Sequence, residues 1–177
     1  GNRVQNTDPQ RFEQISQYAL NAASRPGDHD TQIRNLAVVA NLGPQEVPAF
    51  VAQAFTSGDA TLRRASVESL ERIKSDQANQ MITRALRDDD ENVRVAAAKL
   101  LADQSRPNAV NLLSQTLAED NSETVRARAL LSLSQLAETD PRAASQIAHA
   151  AQQNSSAEVR DLAAKLLAAS TNHSQGR

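Results

Sequence analysis

The sequence contains no cysteine and almost no aromatic residues. Its 177 residues include no Cys and no Trp, and Phe, Tyr and Trp together make up 2% of the chain. The absence of Cys excludes disulfides, thiolate metal sites and a thiol nucleophile. Because hydrophobic residues still account for 40% of the chain, the core has to be built from Ala, Leu, Val and Ile. Small side chains of this kind suit closely packed helices.

The chain also lacks a strong charge of either sign. Its formal net charge is −2, so bulk attraction to nucleic acid or to an anionic membrane is not predicted. No apolar run approaches the ~20 residues that span a bilayer, and no signal peptide is recognisable. Both the cytoplasm and the periplasm therefore stay open as compartments. Since the chain begins with Gly1 rather than Met, we expect processing or a longer parent protein.

One helical pattern recurs five times. Its clearest copy is the segment 88–102, DDDENVRVAAAKLLA, in which the apolar residues from Val93 onward follow a 3.6-residue period. Each copy has an apolar anchor that is followed directly by Arg. The anchors are Ile33, Leu62, Val93, Val125 and Val159, and they are spaced by 29, 31, 32 and 34 residues. The helix caps predicted three positions earlier are Asp30, Asp59, Asp90, Ser122 and Ser156. A period of about 30 residues with helical patterning predicts a helical solenoid.

A second apolar stripe precedes each anchor, so the sequence predicts ten helices in five antiparallel pairs and no sheet. In the first helix, predicted at 10–23, the inward side is formed by Phe12, Ile15, Ala19 and Leu20. Proline is favoured at the first helical position, and the prolines predicted to open the first helix of a pair are Pro9, Pro44, Pro107 and Pro141. We expect a single domain at 9–169 between polar tails at 1–8 and 170–177. Its repeats are predicted at about 9–43, 44–74, 75–103, 106–138 and 141–169.

The segment 85–101, which reads AL-x-DDD-x-x-VR-x-AAA-x-LL, resembles short bacterial HEAT repeats, similar to those of bilin lyases. The resemblance extends over about 9–169, nearly the whole chain. It implies an all-α fold, a right-handed α-α superhelix (solenoid) of five HEAT-like helix pairs. Because such repeats serve many roles, the resemblance is specific for the fold and weak for the function.

The resemblance also implies a ladder between stacked repeats, in which an Asp in the turn pairs with an Arg six residues later. The pairs expected here are Asp28 with Arg34, Asp88 with Arg94, and Asp120 with Arg126. Arg63 and Arg160 belong to the same column, but Ser57 and Asn154 stand where the pattern has Asp. The five arginines could alternatively bind phosphate. We favour the structural interpretation, because guanidinium groups pair bidentately with carboxylates.

Catalytic and metal chemistry finds little support in the sequence. His29, His149 and His173 are scattered, and neither HExxH nor a close pair of His ligands occurs. The acidic turn 88–91 lacks the Gly and the spaced acidic ligands of a calcium loop, and the helix dipole alone favours acidic residues there. We therefore expect no catalytic residue, no cofactor and no metal, and we predict that the chain is not an enzyme.

The remaining candidate is a surface on the second helix of each pair. Residues two, six and nine positions after the anchor lie opposite the inward face, and the resemblance implies that second helices line the concave side. In repeats three and four these positions carry Val95, Ala127 and Leu131 where a polar face is expected, and the charged residues around them are Arg64, Glu68 and Lys99. An apolar strip in a groove is a candidate partner site. Packing against neighbouring helices is the alternative, and the sequence leaves both open.

The favoured hypothesis is a non-enzymatic scaffold or module that binds another protein or peptide through the concave face, by itself or within a longer chain. The first alternative is a lyase- or chaperone-type subunit of a HEAT-like enzyme, as in bilin attachment. The second is a nucleic-acid-binding HEAT-like protein. A single Tyr, no Trp and no basic excess speak against this second alternative. We predict neither nucleic acid as a partner nor membrane insertion of this segment.

Overall fold

The computed structural model describes residues 9–25, 27–103 and 105–175, with side chains for 14–25, 27–103 and 105–169. Every regular element in these ranges is an α-helix, which confirms the predicted all-α fold. The ten helices are α1 (Pro9–Ala23), α2 (His29–Leu42), α3 (Ala49–Phe55), α4 (Ala60–Ser69), α5 (Asp76–Ala85), α6 (Glu91–Leu100), α7 (Ala109–Glu119), α8 (Glu123–Leu136), α9 (Pro141–Gln153) and α10 (Ala157–Gln175).

Consecutive helices pack as five pairs, from α1 with α2 to α9 with α10. The helices fall into two compact units, one with α1 to α4 and the other with α5 to α10. Within the units, α2 packs against α4, α6 against α8, and α8 against α10. The second helices of neighbouring repeats are therefore in contact within each unit. The prediction of one domain at 9–169 stays a prediction.

The core consists of aliphatic side chains that follow the anchor pattern. The anchors Val93 and Val125 are fully buried, and Val159 is 1% exposed. An Ala four residues after each of these anchors is also fully buried, and the three are Ala97, Ala129 and Ala163. Such small side chains let neighbouring helices approach closely. In addition, the buried Ser132 donates a hydrogen bond from Oγ to the backbone oxygen of Ala98 at 2.8 Å, which ties α8 to α6.

Two helices begin later than predicted because the residues before them do not favour helical geometry. α3 begins at Ala49 rather than at Pro44, with Pro48 as its N-cap. A proline disfavours the helical conformation in the residue before it, and Val47 is accordingly non-helical and buried. α7 begins at Ala109 rather than at Pro107, because Asn108 adopts the left-handed conformation with φ of 57°.

The two ends of the predicted domain also differ from expectation. In α1 the predicted inward residue Ile15 is 58% exposed, whereas Ser16 and Ala23 are buried. The buried stripe is therefore shifted by one residue, and the side chain of Phe12 lies outside the described residues. α10 continues into the predicted polar tail as far as Gln175, since no Pro or Gly interrupts 170–175. The predicted tail 1–8 lies outside the described residues.

Side chains cap the starts of the second helices. Asp90 accepts hydrogen bonds from the backbone nitrogens of Asn92 at 2.9 Å and Val93 at 3.3 Å. The cap predicted in the first repeat was wrong: Asp30 lies inside the first turn of α2, and Asp28 caps the helix by accepting from the backbone nitrogen of Thr31 at 2.8 Å. Each cap satisfies backbone donors that have no partner within the helix.

Arg94 connects two successive turns of the second unit. Its Nη1 donates to the backbone oxygens of Asp88 at 2.8 Å and Asp89 at 3.1 Å, in the turn before its own helix. Its Nε and Nη2 donate to the two carboxylate oxygens of Asp120 at 2.9 and 3.2 Å, in the turn before α8. The side chains of Arg94 and Asp120 are 12% and 8% exposed, so this bidentate, charge-assisted pair is largely shielded from water.

The structure corrects the predicted pairing of this column. Arg94 binds the carboxylate of the next turn, whereas the carboxylate of Asp88 accepts from the backbone nitrogen of Asp90 at 2.9 Å. What recurs within a repeat is a bond from Arg Nη1 to the backbone oxygen six residues earlier; the pairs are Arg63 with Ser57 at 3.0 Å, Arg126 with Asp120 at 2.7 Å and Arg160 with Asn154 at 2.6 Å. Since every residue has a backbone oxygen, this bond does not require Asp in the turn.

The first repeat does not form the expected pair. The carboxylate of Asp28 is the cap of α2, and Arg34 donates from Nη2 to Thr31 Oγ1 at 2.8 Å. The α1–α2 turn therefore differs from the later turns, because its acidic residue lies directly before the helix and bonds to the first turn of that helix.

The turn before α10 has Asn154 where the turn before α8 has Asp120. Asn154 Oδ1 accepts from the backbone nitrogen of Ser156 at 3.1 Å, and its Nδ2 donates to the backbone oxygen of Leu117 at 3.1 Å. Among the described residues, the buried Nε of Arg126 has no hydrogen-bond partner. An amide at position 154 thus stands where a carboxylate would complete a pair with Arg126, equivalent to the pair of Arg94 with Asp120.

We predict that Arg94→Ala lowers the free energy of unfolding by roughly 1–3 kcal/mol, because it leaves the shielded carboxylate of Asp120 without its partner. Chemical denaturation measures this change. Arg142→Ala is the matched control, since Arg142 also binds a carboxylate, that of Asp140 at 2.7 Å, but is 73% exposed; its effect should stay below about 1 kcal/mol. Equal effects of the two substitutions would contradict the assignment of Arg94 as a structural residue.

We predict that Asn154→Asp raises the free energy of unfolding by about 1 kcal/mol. The new carboxylate can accept from Arg126, a charged hydrogen bond that is stronger than the neutral one to Leu117 that is lost. Thermal and urea denaturation measure the gain. In an Arg126→Ala background the same substitution should give no gain, and a gain that persists there would show that Arg126 is not its source.

The capping carboxylates predict a loss of stability in acid. Hydrogen bonds from Thr31 lower the pKa of Asp28, and the backbone hydrogen bond from Thr61 lowers the pKa of Asp59, in both cases below the ordinary 3.8. Such groups stabilise the fold fully above the unfolded pKa, and this contribution is lost as the pH falls through the folded pKa.

We therefore expect the free energy of unfolding to decrease as the pH falls below 3.8, as measured by urea denaturation across this range. Asp28→Asn should reduce that decrease, because Asn still caps the helix but does not titrate. An identical pH dependence in this variant and in the unmodified chain would contradict the role given to Asp28.

Candidate interaction surface

Three second helices of the second unit lie side by side: α6 packs against α8, and α8 against α10. Their anchors are buried, so the residues two, six and nine positions after each anchor project away from the core. We call this side of the three helices the open face. Its apolar members include Val95, Ala127 and Leu131, which are each partly exposed, and we call these three residues the apolar strip.

The partial exposure of the apolar strip speaks against the alternative that these side chains are core residues. The residues adjacent to Leu131, Leu130 and Ser132, are 0% and 2% exposed. These neighbours lie on the flanks of α8, and Ser132 contacts α6 through its hydrogen bond to Ala98. The packing of α8 against other helices therefore uses the flanking residues, and part of the Leu131 side chain stays accessible to a partner.

The charged residues predicted around the strip lie in different units. Lys99 is exposed on α6. Arg64 and Glu68 lie on α4 in the first unit, where they form an exposed pair four residues apart with an N–O distance of 3.8 Å. That these residues form one continuous site stays a prediction. On α2 the residue six positions after the anchor Ile33 is Val39, which the anchor pattern predicts on the exposed side and which is instead fully buried, so the pattern of the second unit does not extend to the first repeat.

Arg128 on α8 is a residue of this surface that the sequence analysis missed. It is partly exposed, although it lies three residues after the anchor Val125, where the 3.6-residue period predicts a residue of the inward face. The equivalent residue of the preceding repeat, Ala96, is buried, which is why the position looked like core. On α10, Asp161 and Lys165 form an exposed pair at 2.6 Å. For Arg128 the available signal was a charged residue at a position that holds Ala or Leu in the other repeats.

Other groups with possible chemistry are engaged in structural bonds. In the acidic turn, Asp90 caps α6 and Asp88 accepts from the turn backbone. His29 lies on the surface with its Nε2 2.9 Å from Asp59 Oδ2, and His149 is exposed. No group of three or more His, Asp or Glu that could hold a metal ion occurs in the part of the chain that the structure describes.

Two cavities formed by described residues are lined by paired or mixed side chains. One of about 470 Å³ in the second unit is lined in part by Arg94 and Asp120, which bind each other. One of about 480 Å³ in the first unit is lined by mixed side chains that include Asn35, Phe50 and Arg25. Within the described residues, no helix is long and apolar enough to cross a membrane.

The comparison with protein-family models agrees with the repeat pattern. The family model for HEAT repeats matches residues 79–168, which include α6, α7, α8 and α9 and most of α5 and α10. The crystal structure of an engineered protein is similar over 93% of this chain and 92% of its own, with 18% sequence identity and a TM-score of 0.49. No curated protein sequence matches the chain significantly.

The matched region contains the anchors Val93, Val125 and Val159, the bidentate pair of Arg94 with Asp120, and the whole apolar strip. HEAT repeats commonly serve as scaffolds for protein interactions. Because the family match covers half of the chain and the described residues form the helix pairs that the repeat requires, this protein belongs to the HEAT-repeat family.

Proposed function

We propose that this chain is a non-enzymatic interaction module that binds a protein or peptide on the open face of α6 and α8. The observation that carries the proposal is the partial exposure of Val95, Ala127 and Leu131 on one side of two packed helices. The residues that hold the repeats together lie elsewhere, at the buried anchors and in the turns. The fold therefore does not require apolar side chains at these three positions.

The strip can contribute to binding by the hydrophobic effect. Burying a side chain of the size of leucine stabilises a complex by about 1.5–3 kcal/mol when the side chain starts fully exposed. Since Leu131 is already partly buried, its contribution lies at the lower end of that range. Together with Val95 it supports a complex of weak to moderate affinity, as is common for modules that bind short segments.

The lack of candidate chemistry elsewhere in the described residues favours a binding role over catalysis. In the arginine column, whose alternative role was phosphate binding, Arg94 binds Asp120 and turn oxygens, and Arg63, Arg126 and Arg160 bind turn oxygens. A catalytic site would need a nucleophile, a general base or a bound metal placed in a cleft. The open face offers instead aliphatic side chains with Lys99 beside them, which is a surface suited to recognising another polypeptide.

We predict that Leu131→Asp leaves the fold intact and abolishes partner binding. The matched control is Leu130→Asp at the adjacent position, where the side chain is fully buried. It should lower the free energy of unfolding by at least about 3 kcal/mol, whereas Leu131→Asp should cost less than about 1.5 kcal/mol. Melting curves of the variants measure the effect on stability. A pull-down from an extract of the native organism, made with the same variant preparations and read by mass spectrometry, measures the effect on partner binding.

Two outcomes would contradict the proposal. If Leu131→Asp unfolds the chain as Leu130→Asp does, Leu131 is a core residue. If the variant is folded and captures the same partners in the same amounts, the binding surface lies elsewhere, on the first helices of the pairs or on the turns.

A further inference from the structure

Two cations on or beside the open face of the second unit have no ion-pair partner among the described residues. Lys99 on α6 and Arg128 on α8 lie beside the apolar strip, and within the described residues neither side chain forms an ion pair or a hydrogen bond. By contrast, Asp161 and Lys165 on the same face of α10 neutralise each other at 2.6 Å. Two cations next to an apolar strip attract a partner that combines apolar and acidic residues.

The spacing of the helices suits a helical partner. The axes of packed neighbours such as α6 and α8 lie about 8–10 Å apart. Along a helix that crosses both of them, residues seven positions apart are separated by ~10 Å. The side chains at positions i and i+7 of one partner helix can therefore contact Val95 on α6 and Leu131 on α8 together, with intermediate contacts at i+3 and i+4.

We infer that the open face of α6 and α8 binds an acidic amphipathic helix. Apolar side chains of this helix lie on Val95, Ala127 and Leu131, and its flanking carboxylates lie near Lys99 and Arg128. The inference rests on the proposed function and adds to it the chemical class of the partner. Acidic residues outside the apolar stripe of the partner determine its orientation and its selection against basic helices.

Two synthetic peptides of 14 residues test the inference by fluorescence anisotropy at low ionic strength. Both peptides have Leu at i, i+3, i+4 and i+7; one has Glu at the flanking positions and the other has Lys. We expect the Glu peptide to bind at least about ten times more tightly than the Lys peptide, and added salt should reduce that difference because it screens the charges. Failure of the Glu peptide to bind, or equal affinity for both peptides, would overturn the inference.

Charge reversal on the protein provides the matched control. In the double variant Lys99→Glu with Arg128→Glu the order of the two affinities should invert, so that the Lys peptide binds more tightly. The single variant Lys99→Glu changes only an exposed residue, and it should reduce the preference for the Glu peptide even if the double variant does not fold. An unchanged preference in a folded variant would show that these two cations do not select the partner.

A failure of the acidic-helix inference can be distinguished from a failure of the proposed function. A natural partner that is lost with Leu131→Asp and retained with Lys99→Glu would support the binding module and overturn the acidic helix. Retention of the natural partner by both variants would overturn the proposed function itself.

Discussion

The bidentate bond between Arg94 and Asp120 is the interaction on which the arrangement of the second unit depends. The guanidinium group joins the turn before α6, through the backbone oxygens of Asp88 and Asp89, to the turn before α8, through a carboxylate. Because both side chains are nearly buried, removing one of them leaves the hydrogen-bonding groups of the other without their partner. The pair therefore fixes the position of one repeat relative to the next.

This connection in the turns has a consequence for the second helices. With the turns held by hydrogen bonds and the anchors buried in the core, α6 and α8 each have one side that stays at least partly exposed. In a module of helical repeats, each repeat contacts only its neighbours, so the side that faces away from those contacts lies at the same positions in these two repeats. The partly exposed residues Val95, Ala127 and Leu131 occupy that side of α6 and α8.

The sequence predicted the fold well because the repeat signal is local and is present five times. The anchors at Val93, Val125 and Val159 and the caps at Asp90 and Ser122 lie where the pattern placed them. Predictions failed where local backbone geometry outweighs a general preference. Pro44 did not start a helix, because Pro48 follows and disfavours helical geometry at Val47. Likewise, the left-handed Asn108 delayed α7.

The partners of side chains were harder to predict than the helices. The sequence pairs Arg94 with Asp88, six residues away, whereas the carboxylate that it binds belongs to Asp120 in the next repeat. A one-dimensional pattern does not show which turn lies above which. For the same reason Arg128 was assigned to the core: its exposure depends on how α8 lies beside its neighbours, which the periodicity of a single helix does not specify.

A double-mutant cycle on Arg94 and Asp120 tests most directly whether the bond between these two side chains holds their repeats together. The free energy of unfolding is measured for Arg94→Ala, Asp120→Ala and the double variant. For a shielded, bidentate charge pair we expect a coupling energy of about 1.5–3 kcal/mol. A coupling energy near zero would contradict the account, because it would mean that the repeats are held together without this bond and that Arg94 is available to bind a ligand.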